Sequence, residues 1–274
     1  MSAAGAGVTR GTISVGKVNA LGIIGGLAGI YLAYFINLQT RATTFAFLGG
    51  IGAICAAVWG ADAVRRVCSY GLGTGVPSIG MLALGMGIIA STMGLALGTE
   101  MGIPAGPVLS LVIAGIIGYI IGIFANKVLG MGIPIMERAM TEIAGAGALV
   151  IVGMSVAMTG TFAFGDVLTN VIATGYIAVI FIAGGMAILH PFNANLGPDE
   201  AQDRTLVCAV EKGAIAMVIS GIVGFSIMGI SGLPTIVIGL FIWGLYFSKY
   251  YELVVRDSYK ILGSGLLPTE EELA

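Results

Sequence analysis

Charged residues are scarce in this chain. Asp, Glu, Lys and Arg make up only 9% of its 274 residues, whereas 57% are hydrophobic and the mean hydropathy is +1.03. That is too little polar surface to coat a soluble globule of this length, which excludes an ordinary soluble domain. A basic excess is also missing, since the formal net charge is -2. The composition therefore excludes a nucleic-acid partner.

Cysteine and histidine are scarce as well. Cys55, Cys68 and Cys208 are odd in number and lack metal-ligand spacing, so we expect neither a disulfide framework nor a zinc or iron-sulfur site. We interpret the single histidine, His190, as structural, because it stands at a predicted helix end before a proline. The sequence has no Asp-x-His-x-x-Gly motif, P-loop or nucleophile elbow. We predict no catalytic residue, metal site or cofactor in this chain.

Long uncharged runs recur along the whole sequence. A bilayer core about 30 Å thick needs about 20 apolar residues as a helix. The runs predict an all-α, polytopic integral membrane helix bundle over 18–256, between an N-terminal tail at 1–17 and a C-terminal tail at 257–274. The expected helices lie near 18–36, 43–63, 76–98, 104–125, 142–164, 168–189, 206–228 and 233–256.

The basic residues predict the orientation of the bundle. The uncharged run at 213–248 fits one long helix or two helices joined at 229–234, where Gly and Pro favour a turn. If this run forms two helices, eleven of the twelve Lys and Arg residues fall on the same side of the membrane as the N-terminus, and only Arg41 falls on the opposite side. Positive residues stay in the cytoplasm. The tail at 1–17 carries no signal-peptide pattern, so we predict about eight transmembrane helices in the cell membrane with both termini cytoplasmic.

Glycine is abundant, with 45 residues that lie mostly within the predicted spans. In lipid, close backbone approach replaces the hydrophobic drive for helix association, so this content predicts a tightly packed bundle. The GxxxG pairs fit either contacts with neighbouring subunits or chance pairs at this glycine content. The pairs are Gly22–Gly26, Gly25–Gly29, Gly94–Gly98 and Gly118–Gly122.

A few carboxylates near membrane depth are candidates for an ion path. Glu100 and Asp166 fall at predicted outer helix ends, where each fits either an acidic mouth for a cation or a solvated loop carboxylate. Glu211 and Lys212 lie about one turn inside the seventh span. Adjacent helical residues point about 100° apart, so we expect that these two do not neutralise each other and that Glu211 needs another partner or water. Glu211 therefore fits an ion path or a subunit contact.

Two further features lie on the predicted cytoplasmic side. Arg138 and Glu142 are four residues apart and should pair on one helix face. The longest polar connection, 190–205, contains two prolines and fits a docking site for a partner, or a hydrophilic hairpin whose acids cap the seventh helix. Its candidates for partner contacts are Asp199, Glu200, Asp203 and Arg204.

Two segments carry a family resemblance: ALGIIGGLAGIYLAY at 20–34 and HPFNANLGPDEAQDR at 190–204. Across nearly its whole length, the chain resembles the C subunit of the tetrahydromethanopterin S-methyltransferase of methanogenic archaea. The resemblance implies a complex that moves a methyl group from methyl-tetrahydromethanopterin to coenzyme M through a corrinoid and couples this to Na⁺ export. It also implies that another subunit holds the corrinoid, and that this chain shares the membrane sector with subunits D and E and with lipids.

Two other functions remain open alongside a non-catalytic membrane subunit. A free-standing secondary transporter would need buried polar groups and broken helices at the midplane. There the predicted spans offer Ser91, Thr92 and Thr159 but no charge. A structural scaffold subunit is the other alternative, and the scarcity of intramembrane carboxylates favours it.

Overall fold

The computed structural model describes residues 12–70, 76–194 and 201–261. All regular structure in these ranges is helical, which confirms the all-α fold class. In chain order the helices are α1 Val15–Thr40, α2 Thr44–Cys68, α3 Val76–Met101, α4 Ile103–Val128, α5 Met136–Thr159, α6 Phe164–Ile172, α7 Tyr176–Ala194, α8 Gln202–Met228 and α9 Leu233–Ile261.

The described helices confirm a polytopic membrane bundle. Six helical stretches are long and apolar enough to cross a membrane, or seven if the bent pair α6 and α7 counts as one span. The last stretch, Gln202–Asp257, folds back on itself: the Trp243 indole reaches Glu211 at 2.9 Å although 32 residues separate them. A straight helix would hold them about 48 Å apart. The turn lies at Gly229–Gly232, between α8 and α9. Eight crossings with cytoplasmic termini stay a prediction.

Most helices run a few residues beyond the predicted spans. Most of the predicted spans follow uncharged runs, whereas the helices of the structure continue through charged residues that find partners. Helix α5 begins at Met136 instead of 142, and its first turns include Arg138, which pairs with Glu142 as predicted, Nε to Oε1 2.7 Å. Helix α1 begins at Val15 instead of 18. Of the two predicted tails, residues 1–11 and 262–274 lie outside the described residues.

The sixth predicted helix, 168–189, is wrong as a single straight element. Helices α6 and α7 meet at 90°, and Gly175 between them has φ +79°. Glycine occupies this left-handed region without the steric cost of a Cβ, which allows the chain to turn there. Asp166 consequently lies in the first turn of the short helix α6.

Helix α5 is the centre of the bundle. Nearly every residue from Met136 to Thr159 is buried, and the helix packs against α2, α3, α4 and α8. Small residues permit this close contact. A Cβ added at Gly49 of α2 would lie 2.9 Å from the carbonyl oxygen of Gly153 on α5.

The glycine pairs pack helices within this chain. A Cβ at Gly94 would lie 2.2 Å from the Ser110 nitrogen of α4, and one at Gly118 would lie 2.3 Å from the Met140 carbonyl oxygen of α5. These distances leave no room for a side chain. The GxxxG pairs in α3 and α4 therefore serve internal helix contacts.

The two ends of the bundle differ in charge. Gln202 of α8 contacts Asp62 near the end of α2, and Arg65 and Arg66 lie beside it; we call this the basic end. At the other end, Asn37 of α1 donates to the Gly160 carbonyl after α5; we call this the opposite end. Helix α5 runs between the two ends.

Candidate functional site

Asp62 lies at the centre of an ion network at the basic end. Its side chain has no solvent exposure. Oδ1 accepts hydrogen bonds from Arg65 Nη2 at 2.9 Å, Arg65 Nε at 3.2 Å and Gln202 Nε2 at 3.2 Å. Oδ2 accepts from Arg66 Nε at 2.9 Å. The carboxylate is thus charge-compensated within its own helix and also contacts α8.

Arg66 extends this network to the central helix. Its Nη2 donates to Glu142 Oε2 of α5. Glu142 Oε1 accepts from Arg138 Nε at 2.7 Å and from Asn19 Nδ2 of α1 at 3.1 Å. One continuous set of hydrogen bonds therefore joins α1, α2, α5 and α8.

Gln202 attaches the segment before α1 to the same network. Its Oε1 accepts from the Ile13 backbone N–H at 2.9 Å, and its Nε2 donates to the Ile13 carbonyl at 3.0 Å. The amide also donates to Asp62, so both N–H groups and the oxygen are used. Gln202 is buried.

Burial makes this network sensitive to the loss of any member. Glu142 is 5% exposed and Arg65 is 6% exposed, whereas the Arg138 side chain is 58% exposed. Removal of one partner from a buried pair leaves an uncompensated charge, which costs about 3–5 kcal/mol. Arg138 and Glu142 were predicted from the sequence, whereas Asp62 was missed. The spacing of Asp62 to Arg65 and Arg66, three and four residues on, was the available signal.

Glu211 is 1% exposed and has two partners within the chain. Trp243 Nε1 of α9 donates to its Oε1 at 2.9 Å, which supplies the partner expected for this carboxylate from the sequence. Lys212 Nζ lies 2.8 Å from its Oε2. The prediction that Glu211 and Lys212 do not neutralise each other is therefore wrong. The lysine stem is long and flexible enough to bring its ammonium back to the neighbouring carboxylate.

Three polar contacts at regular spacing join α8 to α9. Arg204 lies 3.3 Å from Asp257, Cys208 and Tyr250 share a hydrogen bond, and Glu211 accepts from Trp243. The steps are four and three residues on α8 and seven residues on α9. The contacts advance along α8 as they go back along α9, which is the order expected for two antiparallel helices in contact. Glu211 is thus one of the three residues of α8 that make these polar contacts with α9.

The 190–205 connection is shorter than predicted. Helix α7 continues through Pro191 to Ala194, because a proline in the last turn removes few helical hydrogen bonds. Helix α8 begins at Gln202, so Asp203 and Arg204 lie in its first turn. Asp203 Oδ2 pairs with Arg256 at 3.1 Å, and Arg204 pairs with Asp257. These two partner-contact candidates thus make contacts within the chain, while Asp199 and Glu200 lie outside the described residues.

A pocket of about 300 Å³ opens at the opposite end of the bundle and contains Asp166. Asp166 is exposed and has no ion-pair partner among the described residues. Side-chain oxygens are frequent in the lining, which includes Asn37, Thr43, Thr159, Thr161 and Asn170. Glu100 is exposed at the last turn of α3 and does not line this pocket. Of the two acids that the sequence placed at the outer ends, only Asp166 lines this pocket.

The residues that could ligate a metal ion lie apart in the part of the chain that the structure describes. No three His, Cys, Asp or Glu side chains come together there in a group that could hold a metal ion. His190 lies half-buried in α7. What the described residues offer is hydrogen bonding, ion pairing and one oxygen-rich pocket.

The fold and these sites define a polytopic membrane protein that carries its buried charges as internal ion pairs. The family model for the C subunit of tetrahydromethanopterin S-methyltransferase matches residues 1–271, and the chain belongs to this family. Its family makes it one subunit of a multi-subunit methyltransferase complex.

Curated relatives share the whole length of the chain. The tetrahydromethanopterin S-methyltransferase C subunit of Methanosarcina mazei is 60% identical, and the match covers 100% of both chains. The C subunit of Methanothermobacter thermautotrophicus is 44% identical over 99% of this chain and 100% of the relative. The C subunit of Methanocaldococcus jannaschii is 38% identical over 93% of this chain and 94% of the relative.

Proposed function

We propose that this chain is a non-catalytic subunit in the membrane sector of a Na⁺-exporting methyltransferase in the cell membrane. The complex transfers a methyl group from methyl-tetrahydromethanopterin to coenzyme M through a corrinoid held by another subunit. The chain adjoins membrane subunits D and E, and lipids cover its remaining apolar surface. Its own contribution is to couple methyl transfer at the cytoplasmic side to Na⁺ movement across the membrane.

One observation carries this proposal: the central helix joins the ion network to the oxygen-lined pocket. Glu142 near the start of α5 belongs to the network, and Thr159 at its end lines the pocket with Asp166. The two residues lie about 26 Å apart along the helix, so one rigid element reaches from one polar site to the other. A displacement of α5 at the basic end would reach the pocket directly.

The pocket has the chemistry that a hard cation needs. Na⁺ takes oxygen ligands, as Ca²⁺ and Mg²⁺ do, and the lining offers hydroxyl, amide and carboxylate oxygens. Asp166 adds a negative charge that no described cation neutralises. We expect it to attract Na⁺ at the outer face of the subunit.

Asp166→Asn tests this role, with Glu100→Gln as its matched control. Two unit charges about 4 Å apart in water attract by about 1 kcal/mol, or about fivefold in affinity. In complexes reconstituted into vesicles, we expect Asp166→Asn to raise about fivefold the outer-side Na⁺ concentration that half-inhibits methyl transfer, because an exported Na⁺ leaves on that side. Glu100→Gln should leave that concentration unchanged.

Equal Na⁺ dependence in both variants would contradict a role for the pocket. A structural scaffold would then be the better function, and one observation favours it. Each buried charged side chain of the described residues has an ion-pair partner inside the chain: Asp62, Arg65, Glu142, Arg204, Glu211 and Asp257. A scaffold would leave Na⁺ uptake to other subunits and would lose only assembly when mutated.

A further inference from the structure

Gln202 occupies a singular position in the network at the basic end. It is the first residue of α8, it is buried, and its amide bonds three groups at once. Two of them belong to the Ile13 backbone, and the third is the Asp62 carboxylate. Through Gln202 the start of α8 is fixed both to the segment before α1 and to the most deeply buried charge of α2.

Glutamine suits this position for a chemical reason. A side-chain amide presents one acceptor oxygen and two donor hydrogens in a plane. That set matches one backbone N–H, one backbone carbonyl and one carboxylate oxygen, and all three are filled here. A hydroxyl supplies one donor, and a carboxylate supplies none when it is ionised.

The contacts beyond Gln202 lead to the central helix. Asp62 accepts from Gln202 through Oδ1 and from Arg66 through Oδ2, and Arg66 then donates to Glu142 of α5. Asp62 is fully buried, so this chain of bonds works in a medium of low dielectric, where each bond is strong. A shift of the first turn of α8 must therefore either move Asp62 and Arg66 or break a buried bond.

We propose that Gln202 is the positioning residue that transmits displacement of the start of α8 to α5. The inference rests on the proposed coupling function and names the route by which this subunit receives the signal at the basic end. Gln202 contacts neither Na⁺ nor methyl donor in this scheme. It acts through Asp62 and Arg66.

The test uses the complete complex in vesicles and a substitution that keeps the shape of the side chain. Gln202→Met removes all three hydrogen bonds, and Gln39→Met, at an exposed site at the opposite end of α1, is the control. We expect the Na⁺ moved per methyl group transferred to fall at least threefold in Gln202→Met. Co-purification of the other subunits should not change, and the control should match wild type.

A second measurement reports the contact independently of Na⁺ transport. Ala61 is fully buried beside Val18 and Leu206, next to Asp62. In a complex whose native cysteines are replaced, Ala61→Cys should react slowly with a water-soluble thiol reagent. Adding Gln202→Met should raise that rate at least tenfold, because the start of α8 and the Ile13 segment are released.

The outcomes separate the two ideas. A normal ratio of Na⁺ to methyl groups in Gln202→Met overturns the relay, whether or not labelling of Ala61→Cys increases, since Gln202 would then act only as a cover. A lower ratio that appears together with lost subunits also overturns it, since the effect would be assembly. A wild-type complex that transfers methyl groups without moving Na⁺ overturns the proposed function itself, while the labelling result still stands.

Discussion

Glu211 shows how a single intramembrane carboxylate is accommodated. It is 1% exposed, and it lies between the Trp243 indole and the Lys212 ammonium. An isolated ion in such surroundings would be far more costly than a paired one. The contact with Trp243 of α9 fits the view that Glu211 holds α8 and α9 in register. Its place in an ion path stays a prediction.

A double-mutant cycle tests the contact between Glu211 and Trp243. Trp243→Phe removes the indole donor and leaves a buried carboxylate oxygen unsatisfied, at a cost of about 1–3 kcal/mol. In a Glu211→Leu background no carboxylate is left to satisfy, so the same change should cost much less. Thermal denaturation of the tagged chain in detergent measures the cost of Trp243→Phe in both backgrounds. Equal costs in the two backgrounds would mean that the hydrogen bond contributes nothing.

Residue-scale features were predictable where partners stand close in sequence. The pair Arg138–Glu142 follows from a four-residue spacing on a helix. The bonds from Arg66 to Glu142 and from Gln202 to Asp62 cross 76 and 140 residues, and no pattern in one sequence states which helices are neighbours. The contact between Glu211 and Lys212 does not follow from the backbone directions of adjacent residues, because it depends on the reach of the long lysine side chain.

Two glycines of helix α4 differ in the space around them. A Cβ at Gly118 would lie 2.3 Å from the Met140 carbonyl oxygen of α5, whereas one at Gly115, three residues earlier, would meet only Thr141 Cγ2 at 3.6 Å. The first site permits no side chain, and the second has room for a methyl group. Backbone contact between α4 and α5 therefore depends on Gly118.

Gly118→Ala and Gly115→Ala form a matched pair on one helix. Gly118→Ala must push α4 and α5 apart, and such overpacking costs about 1–3 kcal/mol. Gly115→Ala should be neutral or stabilising by up to about 1 kcal/mol, because alanine favours the helix. Thermal stability in detergent distinguishes them, and similar values for both would refute the close contact.

At this scale the sequence predicted most helices and missed the bend. Long uncharged runs mark each span because lipid tolerates few charges, and the structure has helices at all of these places. The break between α6 and α7 was missed since 168–189 is uncharged throughout, and its signals are Gly175 and three polar residues before it, Thr169, Asn170 and Thr174. In a chain with 45 glycines, one more carries little information.

For the whole molecule, the separation of charge between the two ends predicts the topology. Network residues Asp62 and Glu142 meet Arg65, Arg66 and Arg138 at the basic end. The acids Glu100 and Asp166 lie at helix ends that were assigned to the outer side. The positive-inside rule then predicts that the basic end faces the cytoplasm.

Cysteine labelling of intact cells and inverted vesicles checks this orientation. In a background without native cysteines, Lys17→Cys should react only in inverted vesicles, and Thr99→Cys only in intact cells. Both positions are exposed in the structure. Labelling of Lys17→Cys from outside would reverse the predicted orientation.

The three residues that bond Asp62 lie at very different distances from it along the chain, and this sets an order for biogenesis. Arg65 and Arg66 follow Asp62 within one turn, so the nascent α2 can enter the insertion machinery with its carboxylate already neutralised. Glu142 is synthesised 76 residues after Arg66, and Gln202 140 residues after Asp62. The Ile13 backbone is made before all of these residues, and its partner Gln202 follows 189 residues later. Until the ribosome has passed the start of α8, the Ile13 backbone lacks the two hydrogen bonds that hold it to Gln202.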